Sequence, residues 1–224
     1  MRRWPRALAF VRLRLIKYVI KHKKVRQKMP DVRKVIPIQF RDKNDIRPLP
    51  PIPEDLAKAT MGLNDIFNAN NLNPLEKLAA AYALVDRYNV FVATFAVCQR
   101  GCHYCCRVDV DVSPLEVDYI TTNTGVRARP GTDWSHNHAS LCPLLNADGT
   151  CSVYEYRPFN CRTFHALDDP KYCANKNESH QTYGAAAGGY GVGLYRAIAR
   201  WLKGMHQVNN LQSRDIRDWF GGRK

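Results

Sequence analysis

The stretch 98-CQRGCHYCC-106 places four thiols, those of Cys98, Cys102, Cys105 and Cys106, within nine residues. Loops with two or three intervening residues bring sulfur atoms together at a small entropic cost, and Gly101 supplies backbone freedom to such a loop. Zinc and iron–sulfur centres both need several soft ligands that converge on one point. The stretch therefore predicts a metal site. Because neighbouring side chains usually diverge, we expect Cys105 and Cys106 to serve different metals, or one of them not to bind.

The other four cysteines follow at Cys142, Cys151, Cys161 and Cys173. Eight cysteines would indicate four disulfides in a secreted protein. However, Arg12, Arg14 and Lys17 interrupt the apolar residues near the N-terminus, so neither a signal peptide nor a membrane span of roughly 20 apolar residues is predicted. We therefore expect a reducing, cytoplasmic compartment, in which clustered thiolates bind metal and all eight cysteines are candidate ligands.

Most of the net charge of +14 lies in the first part of the chain, because residues 1–47 hold 16 Lys/Arg and 3 Asp/Glu. Leu8, Val11, Leu15 and Val19 recur at three- and four-residue spacings between these charges. The pattern predicts a basic amphipathic helix in an arm over residues 1–28. The arm residues expected to contact a partner are Arg2, Arg3, Arg6, Arg12, Arg14, Lys17, Lys21, Lys23, Lys24 and Arg26.

Three acceptors compete for such an arm: a protein surface, the phosphates of nucleic acid and an anionic membrane surface. The apolar stripe must be buried on something, which argues against a contact with phosphates alone. We therefore expect docking on a protein assembly. A basic arm and a tether on a small domain are typical of subunits of large particles such as a virion or a nucleoprotein. A solvated extension, or docking on the chain's own domain, are the alternatives.

Residues 29–53 are rich in proline and charge and end in the run 48-PLPPIP-53, which favours an extended tether. Residues 54–224 are expected to form the cysteine-cluster domain. The fold class predicted for it is α+β: a small, mainly helical domain with a short β-hairpin and cysteine-rich metal-binding loops, preceded by the basic helical arm and the Pro-rich tether.

Local signals place the elements of this domain. A short helix is predicted after Glu54, and Asn73 caps a second helix with Pro74 in its first position. The run 113-SPLE-116 is a capping box, and Gly125 is its expected helix end. Val108, Val110 and Val112 alternate as in a strand, the turn residues 146–149 predict the hairpin, and 196–205 and 215–220 are helical.

Five motifs resemble a known family: GCHYCC at 101–106, VSPLE at 112–116, CPLL at 142–145, GTCSVYEYRP at 149–158 and NCR at 160–162. They are similar to the YkgJ-like cysteine-cluster family, named for a CxxCxxCC motif and described as zinc- or iron-chelating. The resemblance covers roughly Cys98 to Cys173, with a first spacing of three residues where the motif has two. It implies a metal centre rather than a reaction. A related cluster in flagellin lysine methylases looks like an iron–sulfur site, so Zn²⁺ and a [4Fe–4S] cluster both remain open.

Other residues near the cysteines have expected roles. Arg157 and Arg162 are expected to neutralise thiolate charge, and His103 or His165 could replace a thiol as a ligand. The predicted function is a metal-stapled structural or interaction module that the arm attaches to a larger assembly. The alternative is an iron–sulfur redox protein or an enzyme of unknown substrate, for which no catalytic residue is identified.

Overall fold

The computed structural model describes residues 41–131, 134–175, 177–184, 192–209 and 212–221. The predicted arm and the first part of the predicted tether lie outside these residues. The described part of the tether is attached to the domain: the carbonyl oxygen of Arg41 accepts the N–H of Asp169 at 3.2 Å, and Lys43 Nζ lies 2.7 Å from a carboxylate oxygen of Glu178. Within the described residues, no helix is both long and apolar enough to span a membrane.

The described chain is mainly helical with two very small sheets, which confirms the predicted α+β class. Its helices are α1 (Glu54–Met61), α2 (Leu63–Asn68), α3 (Pro74–Val92), α4 (Pro114–Thr124), α5 (Phe159–Arg162), α6 (Gly193–Asn209) and α7 (Ile216–Phe220). Strand β1 (Asp111–Val112) pairs antiparallel with β4 (Arg214–Asp215), and β2 (His165–Ala166) pairs antiparallel with β3 (Thr182–Tyr183). The predicted hairpin is a tight turn closed by one bridge, between Leu145 and Cys151.

The capping signals in the sequence set the starts of α3 and α4. In each helix the cap side chain accepts the N–H three residues on, and the glutamate there, Glu76 or Glu116, accepts the N–H of the cap residue. Helix α4 ends at Gly125, whose φ of 73° is in the left-handed region that glycine adopts without strain. The one helix predicted after Glu54 is two helices, because the chain leaves helical bonding at Gly62.

Two cores stabilise the domain. The larger one buries apolar side chains of α3 and α6, and their aromatic rings meet edge to face, as in Tyr88 and Tyr195 at 5.5 Å between centroids. The smaller one consists of Val112, Val117, Ile120, Leu144, Val153 and Ile216. It lies under the cysteine-rich segment, so Cys142 and Cys151 pack at its margin.

A buried glutamate joins the two halves of the cysteine-rich segment. Glu116 is 3% exposed and accepts hydrogen bonds from the Tyr82 hydroxyl (2.7 Å), the N–H and hydroxyl of Ser113 (2.8 and 2.6 Å) and the N–H of Phe159 (2.6 Å). Ser113 is the N-cap of α4 and Phe159 is the first residue of α5. Backbone N–H groups at the start of a helix lack intrahelical acceptors. One carboxylate therefore fixes both helices, and with α5 it fixes Cys161.

Candidate metal centre

The first cysteine loop is tied to β2. Val97 donates its N–H to the carbonyl of Ala166 at 2.9 Å, and Ala166 donates its own N–H to Cys98 Sγ at 3.1 Å. The chain then turns at Gly101, whose φ of 94° again requires the left-handed region. A one-turn 3₁₀ helix, Tyr104–Arg107, follows and carries both Cys105 and Cys106.

The later cysteines return to this loop from separate segments. Cys142 donates its N–H to the carbonyl of Cys106 at 2.9 Å, and Cys151 lies across the turn from Leu145. Cys161 is on α5. Cys173 is on a second one-turn 3₁₀ helix, Pro170–Ala174, which packs against the helix Tyr104–Arg107. Thiols from five segments of the chain therefore meet in one region.

All eight cysteines are free thiols, and none is fully exposed. Their charges act on one another across the whole group. Cys98 and Cys102 raise the pKa of Cys173 after the larger effect of burial. Burial, Cys142, Cys106 and Cys151 together raise the pKa of Cys161. The sulfur atoms therefore form one contiguous cluster, defined here as the thiol cluster.

Burial keeps most of the thiol cluster protonated in the metal-free protein. It raises the pKa of Cys98 to about 11 and those of Cys142 and Cys173 to about 12. Cys106 is the exception. A hydrogen bond from the Cys105 thiol lowers the pKa of Cys106 to about 7 and raises the pKa of Cys105 itself. A metal bound by these sulfurs must therefore displace protons from them.

Backbone amides are already directed at several of the sulfurs. Cys102, Cys142 and Cys151 each accept the N–H of the residue two positions later in the chain. These donors are Tyr104, Leu144 and Val153. Cys98 accepts the N–H of Ala166. Hydrogen bonds of this kind favour the thiolate and are a recognised influence on metal–sulfur sites. The loops are therefore arranged for anionic sulfur.

Arg157 lies beside the thiol cluster. Its guanidinium group stacks 3.8 Å from the ring centre of Tyr154 and donates to that residue's carbonyl at 3.0 Å. Its charge lowers the pKa of Cys98, Cys151 and Cys161 against the larger opposing effect of burial. The position is thus one from which thiolate charge can be compensated.

Arg162 has different partners. It is 2% exposed, pairs with Asp86 of α3, lies 4.6 Å over the ring of Tyr82 and donates to the carbonyl of Glu155 at 2.7 Å. These contacts join α5 to α3. Arg162 therefore supports the fold around the thiol cluster rather than the sulfurs themselves.

Arg217 of α7 is a second arginine beside the thiols, and no motif in the local sequence predicts that it lies there. It is 6% exposed and donates to the carbonyls of Cys106 (3.1 Å), Val108 (3.2 Å) and Ser140 (3.0 Å). Its charge lowers the pKa of Cys106, after the Cys105 hydrogen bond and against burial. Arg217 is separated from Cys106 by 111 residues, so only the tertiary structure brings the two together.

The two candidate histidines differ. His103 stacks on Tyr104 and hydrogen-bonds to the carbonyl of Gly101 at 3.2 Å. His165 is half-buried, and desolvation of its ring together with the charge of Arg157 lowers its pKa to about 4, so the ring is neutral. Its Nε2 is the buried side-chain polar atom in the described residues that has no hydrogen-bond partner. Because such atoms are rarely left unpaired, a partner outside the chain is expected there.

Among the described residues, no three cysteine sulfurs lie within 4.8 Å of one another. The one group of three ligand-type atoms that does meet this limit belongs to Asp109, His138 and Asp215. The Asp215 carboxylate, however, already accepts from Arg217 Nη1 at 3.1 Å and from the N–H of Val110 at 2.7 Å. Its charge is compensated within the chain, so the group joins the residues around His138 to β1 and β4.

A cavity of about 290 Å³ opens beside the thiol cluster. Cys105, Cys106, Cys142 and Cys161 line it together with Asp109 and Asp111. Burial and the nearby carboxylates of Asp215 and Asp109 raise the pKa of Asp111. The thiols therefore border a space much larger than one metal ion, with acidic groups facing it.

Comparison with known proteins agrees with these observations. A family model named CxxCxxCC, with the description "Putative zinc- or iron-chelating domain", matches residues 97–183. No curated protein and no solved structure matches the chain. The match begins one residue before Cys98 and ends ten residues after Cys173, which confirms the resemblance that the sequence motifs indicate. Residues 97–183 are therefore similar to the CxxCxxCC domains, and this similarity supports metal binding by the thiol cluster.

Proposed function

We propose that the thiol cluster binds an iron–sulfur cofactor, and that this cofactor holds the segments of the domain together. The observation that carries the proposal is the convergence of eight free thiols from five segments whose own secondary structure is very short. Two-residue strands and one-turn helices supply few backbone hydrogen bonds, and the core beneath them is small. Metal–thiolate bonds would supply the cross-links that these segments otherwise lack.

Charge supports a metal rather than a set of structural thiols. Amides are directed at four of the sulfurs, which favours thiolates. Arg157 and Arg217 add positive charge beside them, but these two groups are too few for eight thiolates. A bound cation is the remaining source of charge that would allow the cluster to ionise at neutral pH.

The spacing of the sulfurs favours iron–sulfur over zinc. Because a Zn–S bond is about 2.3 Å long, two sulfurs on one zinc ion lie at most about 4.6 Å apart. No three cysteine sulfurs of the described chain are that close. In an iron–sulfur cluster each thiolate binds a different iron, so the sulfurs lie farther apart and surround a larger volume. The cavity bordered by four thiols suits such a cluster.

Anaerobic purification followed by metal analysis tests the proposal. We expect iron and acid-labile sulfide in equal amounts, and a broad absorption near 400 nm that oxygen bleaches. A colourless protein that holds stoichiometric zinc would overturn the iron–sulfur assignment while leaving metal binding intact. A protein that takes up neither metal after reconstitution would overturn metal binding itself.

The proposal that the metal stabilises the domain has a separate test. Removal of the metal by a chelator should lower the unfolding midpoint, because the short segments between Cys98 and Cys173 then lose their cross-links. If the metal-free and metal-loaded proteins unfold together and the cofactor cycles reversibly with a reductant, the alternative function as a redox protein is favoured.

The basic arm gives the second part of the proposal: it would dock the domain on a protein assembly, such as a virion or a nucleoprotein particle. The support is the charge of residues 1–28 together with their apolar stripe. Deletion of residues 1–39 tests this role. The deletion stops there because Arg41 and Lys43 bond to the domain and should be kept. We expect loss of particle association with unchanged metal content. Loss of metal as well would show that the arm belongs to the domain.

A further inference from the structure

Three thiols of the cluster gather on the side of β2. Cys98 and Cys102 lie on either side of the turn at Gly101, and Cys98 is fixed there by the N–H of Ala166 at 3.1 Å. The helix Pro170–Ala174, which carries Cys173, packs against the helix Tyr104–Arg107, which begins two residues after Cys102. The charges of Cys98 and Cys102 act on Cys173. These contacts define the first set: Cys98, Cys102 and Cys173.

Cys106 and three other thiols form a second group, and three of these four thiols line the cavity. The N–H of Cys142 is bonded to the carbonyl of Cys106 at 2.9 Å, and the turn closed by Leu145 and Cys151 brings Cys151 back beside them. Cys161, held by α5, borders the cavity together with Cys106 and Cys142. Cys105 also lines that cavity, whereas Cys98, Cys102, Cys151 and Cys173 are not among its described lining residues. The turn, and not the cavity, places Cys151 in this group. The second set is therefore Cys106, Cys142, Cys151 and Cys161.

The vicinal pair lies where the two sets meet. The thiol of Cys105 hydrogen-bonds to that of Cys106, and its neighbours include Cys98 of the first set and Cys161 of the second. Because the second set already has four thiols, Cys105 completes the first set to four. Both sets contain sulfurs that accept N–H groups from other residues: Cys98 and Cys102 in the first set, Cys142 and Cys151 in the second.

From this arrangement we infer that the domain holds two four-cysteine metal centres side by side, one on Cys98, Cys102, Cys105 and Cys173 and the other on Cys106, Cys142, Cys151 and Cys161. The inference rests on the proposed metal binding and adds the number of metal centres and the cysteines that bind each of them. Adjacent cysteines then bind different metals because side chains of neighbouring residues on a 3₁₀ turn point in different directions. The chain links the two centres through one peptide bond.

Metal content decides between one centre and two. The full chain, reconstituted anaerobically with iron and sulfide, should hold about eight irons, twice the number in a single [4Fe–4S] cluster. Cys173→Ser and Cys151→Ser form a matched pair, one from each set. Each variant should keep about half of the iron and sulfide of the wild-type protein. Cys105→Ser and Cys106→Ser, which change adjacent residues, should likewise each keep half.

Electron paramagnetic resonance gives a second test, which does not depend on the metal content of the variants. Two reduced clusters this close should broaden each other's electron paramagnetic resonance signals, and each single-set variant should show the narrower signal of an isolated cluster. About four irons per wild-type chain, or a cysteine variant with undiminished metal, would overturn the two-centre inference. If both variants of a pair lose all metal, the number of irons per wild-type chain decides between one centre and two. Two zinc ions per chain would uphold the division and reject the iron–sulfur assignment. No metal at all would reject the proposed function.

Discussion

At the scale of single residues, the surroundings of the thiols determine whether they ionise. Burial raises the pKa of Cys98, whereas the N–H of Ala166 and the charge of Arg157 act in the opposite direction. Metal binding requires the thiolate, so the groups that favour the anion also favour the metal. Arg157 acts on several sulfurs at once and is therefore the side chain whose loss we expect to weaken metal binding most clearly.

Arg157→Gln should weaken metal binding by about 10- to 100-fold, the range typical of residues that support metal ligands. The removed charge leaves more thiols protonated, so protons compete better with the metal. Competition with a chromophoric chelator measures the change. Arg100→Gln is the matched control, because Arg100 lies over the same Tyr154 ring, at 5.3 Å, and is 69% exposed. Equal effects of the two substitutions would contradict the role of Arg157.

At the scale of elements, helix starts organise the cysteine-rich segment. Helices α3 and α4 begin with the same capping box, but the two glutamates have different surroundings. Glu76 bonds only to its own cap residue, Asn73. Glu116 is buried and serves Tyr82, Ser113 and Phe159 at once. The same local motif therefore has a structural role in α4 that it does not have in α3.

Glu116→Gln should lower the free energy of unfolding by about 2–4 kcal/mol, the size expected when buried donors lose a charged acceptor. Glutamine has one acceptor oxygen. Either the donors to Oε1, the Tyr82 hydroxyl and the Phe159 N–H, or the donor to Oε2, the Ser113 N–H, are therefore left without an acceptor. Glu76→Gln is the matched control and should change stability by less than about 0.5 kcal/mol, because glutamine also serves in a capping box. Urea unfolding of the metal-free protein measures both. A similar loss in the two variants would exclude the bridging role of Glu116.

At the scale of the whole molecule, the cysteine-rich segment is built for the metal-loaded state. In the metal-free protein, burial favours protonated thiols: it raises the pKa values of Cys98, Cys142 and Cys173 to about 11 to 12 and that of Cys161 well above the ordinary value. The unfolded chain has ordinary thiols with pKa values of about 8.5. Stability of the metal-free form must therefore depend on pH in the alkaline range.

We expect the metal-free protein to keep its stability below about pH 9 and to lose it progressively up to about pH 12. The unfolded thiols ionise first as the pH rises, and this favours unfolding by at most about 1.4 kcal/mol per pH unit for each thiol. Urea unfolding at pH 7.5 and pH 10 under reductant measures the change. The metal-loaded protein is the control, since its thiolates have already lost their protons. An equal loss in both forms would assign the effect to other groups.

The sequence by itself determined the features that depend on neighbouring residues. The capping boxes at Asn73 and Ser113 and the helix end at Gly125 involve groups three or four residues apart, so local chemistry is sufficient for them. The order of motifs from Cys98 to Cys173 likewise predicted the metal-binding domain. Divergence of Cys105 and Cys106 was expected from their adjacency, and the two-centre inference extends that expectation.

Only the tertiary structure decided which thiols are neighbours and which arginines serve them. Arg217 reaches Cys106 across 111 residues, and Arg162 pairs with Asp86 across 76, away from the sulfurs. The pairing of β1 with β4 joins segments about 100 residues apart in the same way. Such contacts depend on how helices and loops pack around the two cores. Residue types and spacings show which groups can bind a metal, whereas the packing of distant segments determines which of them come together.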